Sequence, residues 1–305
     1  FPELVIIDYI HMEEWYWKAG GHARASSAQN GISEKTFVCN SATRKVMTDI
    51  FDCDPERVEC MYIGVDHNYY DRNKENAGYL HEKLNLDKQR PIVLFPCRIH
   101  EQKRPFMLLD IAEGVIKNVP DVAFVVVGDG PQLDELKETI HRKSLTRNIY
   151  CIGRSNDMRA CYRDSKVTLI CSLKEGLALT AYESCSMGVP VVSSDVGGQG
   201  DLIGNDVGAL IPLQQSEEMD LNKREFPEAE VMEYVVNITK ILTRPDLATK
   251  MSENCRRKIE AGFSLEKMVE HFDCELRSLC TDTAAREKRH SISYALQQTP
   301  NFPAD

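Results

Sequence analysis

What the 305 residues lack narrows the field first. No apolar run approaches the ~20 residues that a bilayer-crossing helix needs, and the longest, such as Val122–Val127, stop far short. No signal-peptide pattern opens the chain. No initiating Met stands there either: Phe1-Pro2-Glu3 leads almost at once into apolar residues, which predicts that a larger protein's residues precede it. No cluster of Lys and Arg stands out, and 37 basic against 47 acidic residues give a net charge of −10. General nucleic-acid binding needs excess positive charge to neutralise phosphates, so that class is set aside. One phosphorylated small molecule in a locally basic pocket stays compatible. Among 11 cysteines there is no C-x-x-C pair and no finger-type spacing. Their odd number and mostly apolar surroundings predict small buried thiols in a reducing, cytoplasmic compartment, and no metal. Internal repeats and low-complexity tracts are absent too.

What is present alternates. Short runs rich in Val, Ile, Phe and Tyr predict strands at Leu4–Tyr9, Lys35–Cys39, Glu59–Ile63, Pro91–Phe95, Val122–Val127, Asn148–Ile152, Lys166–Ile170, Pro190–Ser193 and Ala209–Ile211. Most are continuously apolar, as strands covered on both faces are. Amphipathic helical patterns lie between them. Asn40-Ser41 precedes Ala42–Phe51, Pro105 opens a helix to about Lys117, Ser155 caps Asn156–Arg163, and Gly188 stops a helix before Pro190. Strand–helix–strand at this spacing predicts an α/β protein with a doubly wound parallel, Rossmann-like sheet. About 150 residues per domain allows two domains. From Pro91 to Ile211 there is enough for one complete sheet. Residues 1–66 cannot build a second, because one βαβ unit takes about 30 residues. The last third predicts helices at Pro227–Leu242, Pro245–Ala261 and Leu265–Cys280, a charged loop at 216–226, and a polar, mobile tail from Thr281.

The most informative stretch runs Ser172-Leu-Lys-Glu175-Gly176-Leu177-Ala178-Leu179-Thr180-Ala-Tyr-Glu183, then on through Met187-Gly188-Val-Pro190 to Asp195-Val-Gly197-Gly198. Strand Lys166–Ile170 feeds a loop at its carboxyl end, where open α/β sheets bind ligands. Free amides of Gly176 to Thr180, at a helix start, suit an anion. Glu175 and Glu183 can flank one ligand and accept hydroxyl hydrogen bonds. A second stretch, Phe95-Pro-Cys97-Arg98-Ile-His100-Glu-Gln-Lys103-Arg104-Pro105, sets two cations after a buried strand, where Arg98 and Lys103 can clamp a diphosphate.

These residues resemble the retaining glycosyltransferases of GT-B fold, the group 1 family commonly called family 4. Glu175 and Glu183 match its E-x7-E motif, and Arg98 with Lys103 its G-R-x4-K segment, except that Cys97 replaces the usual glycine and narrows the space before Arg98. Gly128-Asp129-Gly130-Pro131 resembles the family's glycine-rich turn; a tight turn explains it, and no ligand is assigned. Arg154, after Cys151-Ile-Gly153, falls where relatives place the nucleobase. His11 falls where the family keeps a histidine on the acceptor side, and Trp15, Tyr16 and Trp17 could either stack on a sugar or pack. Ile63-Gly64-Val65-Asp66 resembles the interdomain strap without its usual asparagine, and Ala261-Gly262-Phe263-Ser264-Leu265 the entry to helices that return towards the first domain.

The resemblance covers roughly residues 5 to 275. It implies residues 1–66 as the end of an acceptor-side domain, 67–262 as the nucleotide-sugar domain, and 263–305 as the returning helix and tail. It further implies a metal-independent hexosyltransferase without a cofactor. The donor would be a UDP-, GDP- or ADP-sugar and the acceptor a glycan or lipid, with peripheral membrane contact left open. Donor binding falls to Arg98, Lys103, Arg154, Glu175, Gly176, Leu177, Ala178, Leu179, Thr180 and Glu183, and catalysis to Glu175, His11, Arg98 and Lys103. Alternatives stand beside it: a nucleotide-sugar binding fragment without turnover, on the expectation that the acceptor domain is truncated; a synthase or epimerase using the same donor site; and, furthest from it, a doubly wound regulatory domain that takes no nucleotide.

Overall fold

The computed structural model describes residues 5–11, 21–214 and 224–281. Leu4, the aromatic cluster Trp15–Trp17, most of the charged loop 216–226 and the tail beyond Thr281 lie outside the described residues. The chain forms two units, one of Phe1–Ile63 with Glu266–Asp305, the other of Gly64–Leu265. No described helix is long and apolar enough to cross a membrane.

In the first unit, β1 (Ile7–Ile10), β2 (Lys35–Val38) and β3 (Val58–Cys60) form a parallel sheet in that order. The first strand sits later than the sequence predicts. Its partner begins at Lys35, so the ladder starts at Ile7 and carries Ile10 opposite Val38. Helices α1 (Gly21–Ser27) and α2 (Ser41–Lys45) pack here, with Ala23 and Met47 buried beside Ile10, Val38 and Val58. Asn40 caps α2 by accepting from the Thr43 amide at 2.7 Å. The predicted single helix 42–51 instead changes pitch: Val46–Ile50 is a π-helical turn, closed by the Phe51 amide on the Val46 carbonyl.

The second unit holds six parallel strands. These are β4 (Ile92–Pro96), β5 (Ala123–Val127), β6 (Ile149–Cys151), β7 (Val167–Ile170), β8 (Val191–Asp195) and β9 (Gly208–Pro212), in the order β6-β5-β4-β7-β8-β9. Alternate side chains bury on opposite faces, which is why the strands read as continuous apolar runs. Val93, Phe95, Phe124, Val126, Val167 and Leu169 form one core, and Ile92, Leu94, Ala123, Val125 and Val127 the other. Helices α3 (Tyr79–Lys83), α4 (Met107–Asn118), α5 (Leu133–Arg142), α6 (Met158–Asp164), α7 (Leu179–Ser186), α8 (Gln199–Leu202), α9 (Glu228–Thr243) and α10 (Pro245–Lys258) complete the unit.

Two helix starts differ from the sequence reading. Asp157, not Ser155, caps α6, its carboxylate accepting from the Arg159 amide at 3.0 Å; a carboxylate one residue before the helix outcompetes a hydroxyl further back. Helix α4 opens at Met107 rather than Pro105, because Arg104 takes a left-handed backbone (φ 48°) that turns its side chain under the sheet's end. Gly188 does end α7, at φ 67°. The cysteines mostly behave as buried apolar groups, and all 11 are free thiols, although Cys274 and Cys280 are exposed.

The strand order sets the site. From β4 the chain winds outward through β5 and β6, then returns to β7 on β4's other side and winds out the opposite way. The crevice at the carboxyl ends of β4 and β7 is therefore the topological switch point, where such sheets hold ligands.

Candidate functional site

Arg98 stands in the loop after β4, and that loop is braced by backbone. The Cys97 amide donates to the Val127 carbonyl at 3.1 Å and the Ile99 amide to the Asp129 carbonyl at 3.0 Å. The second loop must come very close. A Cβ on Gly128, whose φ is 150°, would fall 1.8 Å from the Cys97 carbonyl oxygen. The Gly128-Asp129-Gly130 turn thus holds the Arg98 loop in place. Arg98 is exposed, with no side-chain hydrogen bond or ion pair among the described residues.

Five residues on, a 3₁₀ turn Glu101–Lys103 brings the Lys103 ammonium onto the Glu175 carboxylate. Gln102 stitches the same two loops. Its side chain donates to the Lys174 carbonyl at 3.0 Å, and its carbonyl accepts from the Leu173 amide at 2.8 Å. Glu175 is buried, and its neighbour Gly176 is steadied through its carbonyl by the Gly198 amide at 3.1 Å. Helix α7 then starts without a side-chain cap, because the residue before it is Ala178. Arg98, Lys103, Glu175 and Leu177–Thr180 line one cavity of about 280 Å³, with Cys97 in its wall. Burial pushes the Cys97 thiol well above its ordinary range.

An adjoining hollow of about 750 Å³ is lined by Arg98, Gly128–Pro131, Arg154, Thr180 and Glu183. Arg154, mostly exposed, pairs with Asp129 at 3.5 Å. Among the described residues, Glu183 meets no cation. One carboxylate oxygen accepts from the Tyr70 hydroxyl at 2.9 Å and the other from the Tyr162 hydroxyl at 2.8 Å. Burial raises the Glu183 carboxyl above its ordinary range, and the two phenols pull it part of the way back.

The second unit therefore brings Arg98, Lys103, Arg154, Glu175, Leu177, Ala178, Leu179, Thr180 and Glu183 around two adjoining hollows, with Gly176 in the connecting loop. His11 belongs to the first unit. It follows the last residue of β1 and stacks on Tyr9 at 4.4 Å, in a hollow of about 410 Å³ shared with Asp8, His22, Ser26 and Gln29. Glu59, His271 and Glu275 have the spacing of metal ligands. Lys35 already lies 2.5 Å from Glu59 and 3.2 Å from Glu275, so the two carboxylates are partnered without an ion.

Sequence reasoning missed three residues. Tyr70 and Tyr162 gave no signal because their contacts with Glu183 span 113 and 21 positions. Arg104, adjacent to Lys103, is sealed beneath the cavity against Glu230 at 2.6 Å and also donates to the Cys171 carbonyl. Burial works against its charge, but Cys171 and Glu230 carry its pKa above the ordinary value. The two strap-like segments also find each other. The Val65 amide donates to the Phe263 carbonyl at 3.0 Å, and the Leu265 amide to the Val65 carbonyl at 2.9 Å.

Residues 79–258 match the sequence profile described as glycosyl transferases group 1. The chain is 29% identical over 222 residues to the UDP-Gal:alpha-D-GlcNAc-diphosphoundecaprenol alpha-1,3-galactosyltransferase of Escherichia coli, a match covering 71% of this chain and 53% of that protein. It is 25% identical over 256 residues to the GtfA subunit of the Streptococcus agalactiae UDP-N-acetylglucosamine--peptide N-acetylglucosaminyltransferase, covering 83% of this chain and 47% of that one. The chain thus spans about half the length of these relatives. Its fold is shared with a solved glycosyltransferase from Rickettsia africae, at TM-score 0.73 and 20% identity over 91% of this chain and 71% of that one. Anabaena HepE in complex with UDP gives TM-score 0.70 and 16% identity over 90% and 72%.

Proposed function

The chain belongs to the group 1 glycosyl transferases, and from that premise we propose that it serves a retaining, family 4 type hexosyl transfer from a nucleotide diphosphate sugar to an acceptor hydroxyl. The observation that carries this reading is the cavity at the switch point, where an unpaired Arg98 faces an uncapped helix start between two glutamates.

Breaking the glycosyl–phosphate bond leaves negative charge on the departing diphosphate and positive charge on the sugar. Arg98 takes the diphosphate with its planar fork, Lys103 adds a point charge, and the amides at Ala178–Thr180 face the same oxygens. This is the work a divalent ion would otherwise do, so the reaction is proposed to need no metal. Glu175 holds the donor sugar's hydroxyls, its charge offset by Lys103 until diphosphate competes for that ammonium. Glu183 takes the ribose, and Arg154 with the backbone of 151–154 borders the base. His11 serves the acceptor side. In this reading residues 1–66 close an acceptor-side domain, 67–262 bind the donor, and 263–305 return to the first domain. A uridine nucleotide is favoured over guanosine or adenosine, since both curated relatives above carry UDP in their names. A glycan or lipid-linked acceptor agrees with the diphosphoundecaprenol of the first. The free thiols fit a cytoplasmic setting.

Calorimetric titration with UDP, GDP and ADP tests the donor half. One nucleotide should bind preferentially and lose affinity in Arg98→Ala. Equal affinity in wild type and variant would remove the proposed placement of the diphosphate. The anomeric configuration of the product, read by NMR, tests retention.

A further inference from the structure

Resting on the donor-side reading above, we propose that Tyr70 is a positioning residue: acting with Tyr162, it fixes how the Glu183 carboxylate is presented to the cavity. An ionised carboxylate has about four lone-pair sites. The two phenols take one on each oxygen, at 2.9 and 2.8 Å. Two sites remain, the number that a vicinal diol can fill.

The phenols themselves are held. Tyr162 is fully buried in the core beneath α7. Tyr70 packs edge-on against both Tyr69 and Tyr162. Its carbonyl accepts from the Ser186 hydroxyl at 2.8 Å and from the Arg256 guanidinium at 3.0 Å. The same guanidinium nitrogen lies 3.1 Å from the Ser186 carbonyl and 2.8 Å from that of His67. The loop bearing Tyr70 is thereby pinned to the end of the helix that bears Glu183. Tyr70 also lies only five residues after Val65, whose backbone is locked to Phe263 and Leu265.

The chemistry of the donors matters as much as their placement. A lysine here would cancel the carboxylate's charge, whereas a phenol orients it and leaves it a strong acceptor. Burial keeps both phenols protonated through the working pH range. Arg98, Arg154 and Asp129 border the same hollow but make no bond to Glu183.

The test pairs two measurements on the whole chain, one of which needs no ligand. Carbon-13 NMR of the Glu183 carboxyl, assigned by its loss in Glu183→Gln, gives its titration midpoint. Tyr70→Phe keeps the ring and removes the hydroxyl, so the midpoint should move to higher pH. Binding of the preferred nucleoside diphosphate should weaken by about three- to tenfold, the scale of one hydrogen bond, with the loss growing as pH falls. Tyr69→Phe, whose hydroxyl does not touch Glu183, should change neither. An unmoved midpoint in Tyr70→Phe overturns the proposal, as does a moved midpoint with full affinity while Glu183→Ala binds weakly. If the midpoint moves but even Glu183→Ala binds normally, positioning stands and the ribose assignment falls.

Discussion

Lys103 and Arg104 are neighbours in the chain, both cations are ion-paired, and they do different work. Lys103 reaches Glu175 in a cavity wall, where an arriving anion can compete for it. Arg104, 1% exposed, reaches Glu230, which is 0% exposed, under a layer no ligand enters. Arg98, five residues before Lys103, is solvent-facing and pairs with nothing described. Within seven residues, positive charge grades from solvent-facing, through cavity-lining, to sealed. The left-handed backbone at Arg104 makes the division, turning one side chain under the sheet while its neighbour points along the cavity.

The largest expected effect would break that contrast at its buried end. Glu230→Ala leaves a sealed guanidinium without its counter-ion and should cost about 3–5 kcal/mol of unfolding free energy. Replacing both partners with Met should return much of that loss, because the pair's desolvation cost disappears with it. Denaturant unfolding of the single and double variants checks this. A single variant that unfolds normally but binds nucleotide poorly would place Arg104 in the site instead. At the exposed end, Arg98→Ala should move stability by no more than ~0.5 kcal/mol while weakening nucleotide binding by about 1.5–3 kcal/mol, the scale of a charge-assisted bond. Gly128→Ala should do some of each. Its Cβ meets the Cys97 carbonyl at a backbone angle side chains avoid, costing about 1–3 kcal/mol and displacing Arg98 from the diphosphate.

The same gradient explains what could be read from sequence. Most strands were legible because burial on both faces makes them near-continuous apolar words; β1 and β3, half-buried and carrying Asp8 and Glu59, were legible from the apolar residues around those carboxylates, and ladder pairing then moved strand ends by a few residues. Arg98, Lys103, Glu175 and Glu183 were legible because each sits in the loop or first helical turns after a central strand, so local spacing carries them to one crevice. Tyr70 and Arg104 were not. Their roles depend on partners more than 100 positions away, and nothing in the neighbouring residues distinguishes a phenol that orients a carboxylate from one that fills a core. Ser155 and Pro105 misled for a local reason: each is an acceptable helix start that a better-placed residue or a turned backbone overrode.

The smallest effect separates the two glutamates. Glu175 is charge-compensated by Lys103, whereas Glu183 is held, among the described residues, by two neutral phenols, and burial holds its carboxyl above the ordinary range. A carboxyl whose native pKa exceeds its unfolded value, about 4.3, favours the folded state most when protonated. That contribution is complete below the unfolded value and is lost as pH rises through the native one, so at neutral pH the ionised Glu183 is a net cost to the fold. Glu183→Gln keeps the shape and removes the charge. It should therefore unfold at a higher temperature than the wild type at pH 7.5, and the difference should shrink towards pH 5. Nucleotide binding should fall in the same variant. Glu175→Gln should behave the other way, because it strands the Lys103 ammonium and forfeits stability at pH 7.5. Equal shifts in thermal midpoint for the two variants would mean that phenols and ammonium hold their carboxylates alike, and the contrast between the two glutamates would collapse.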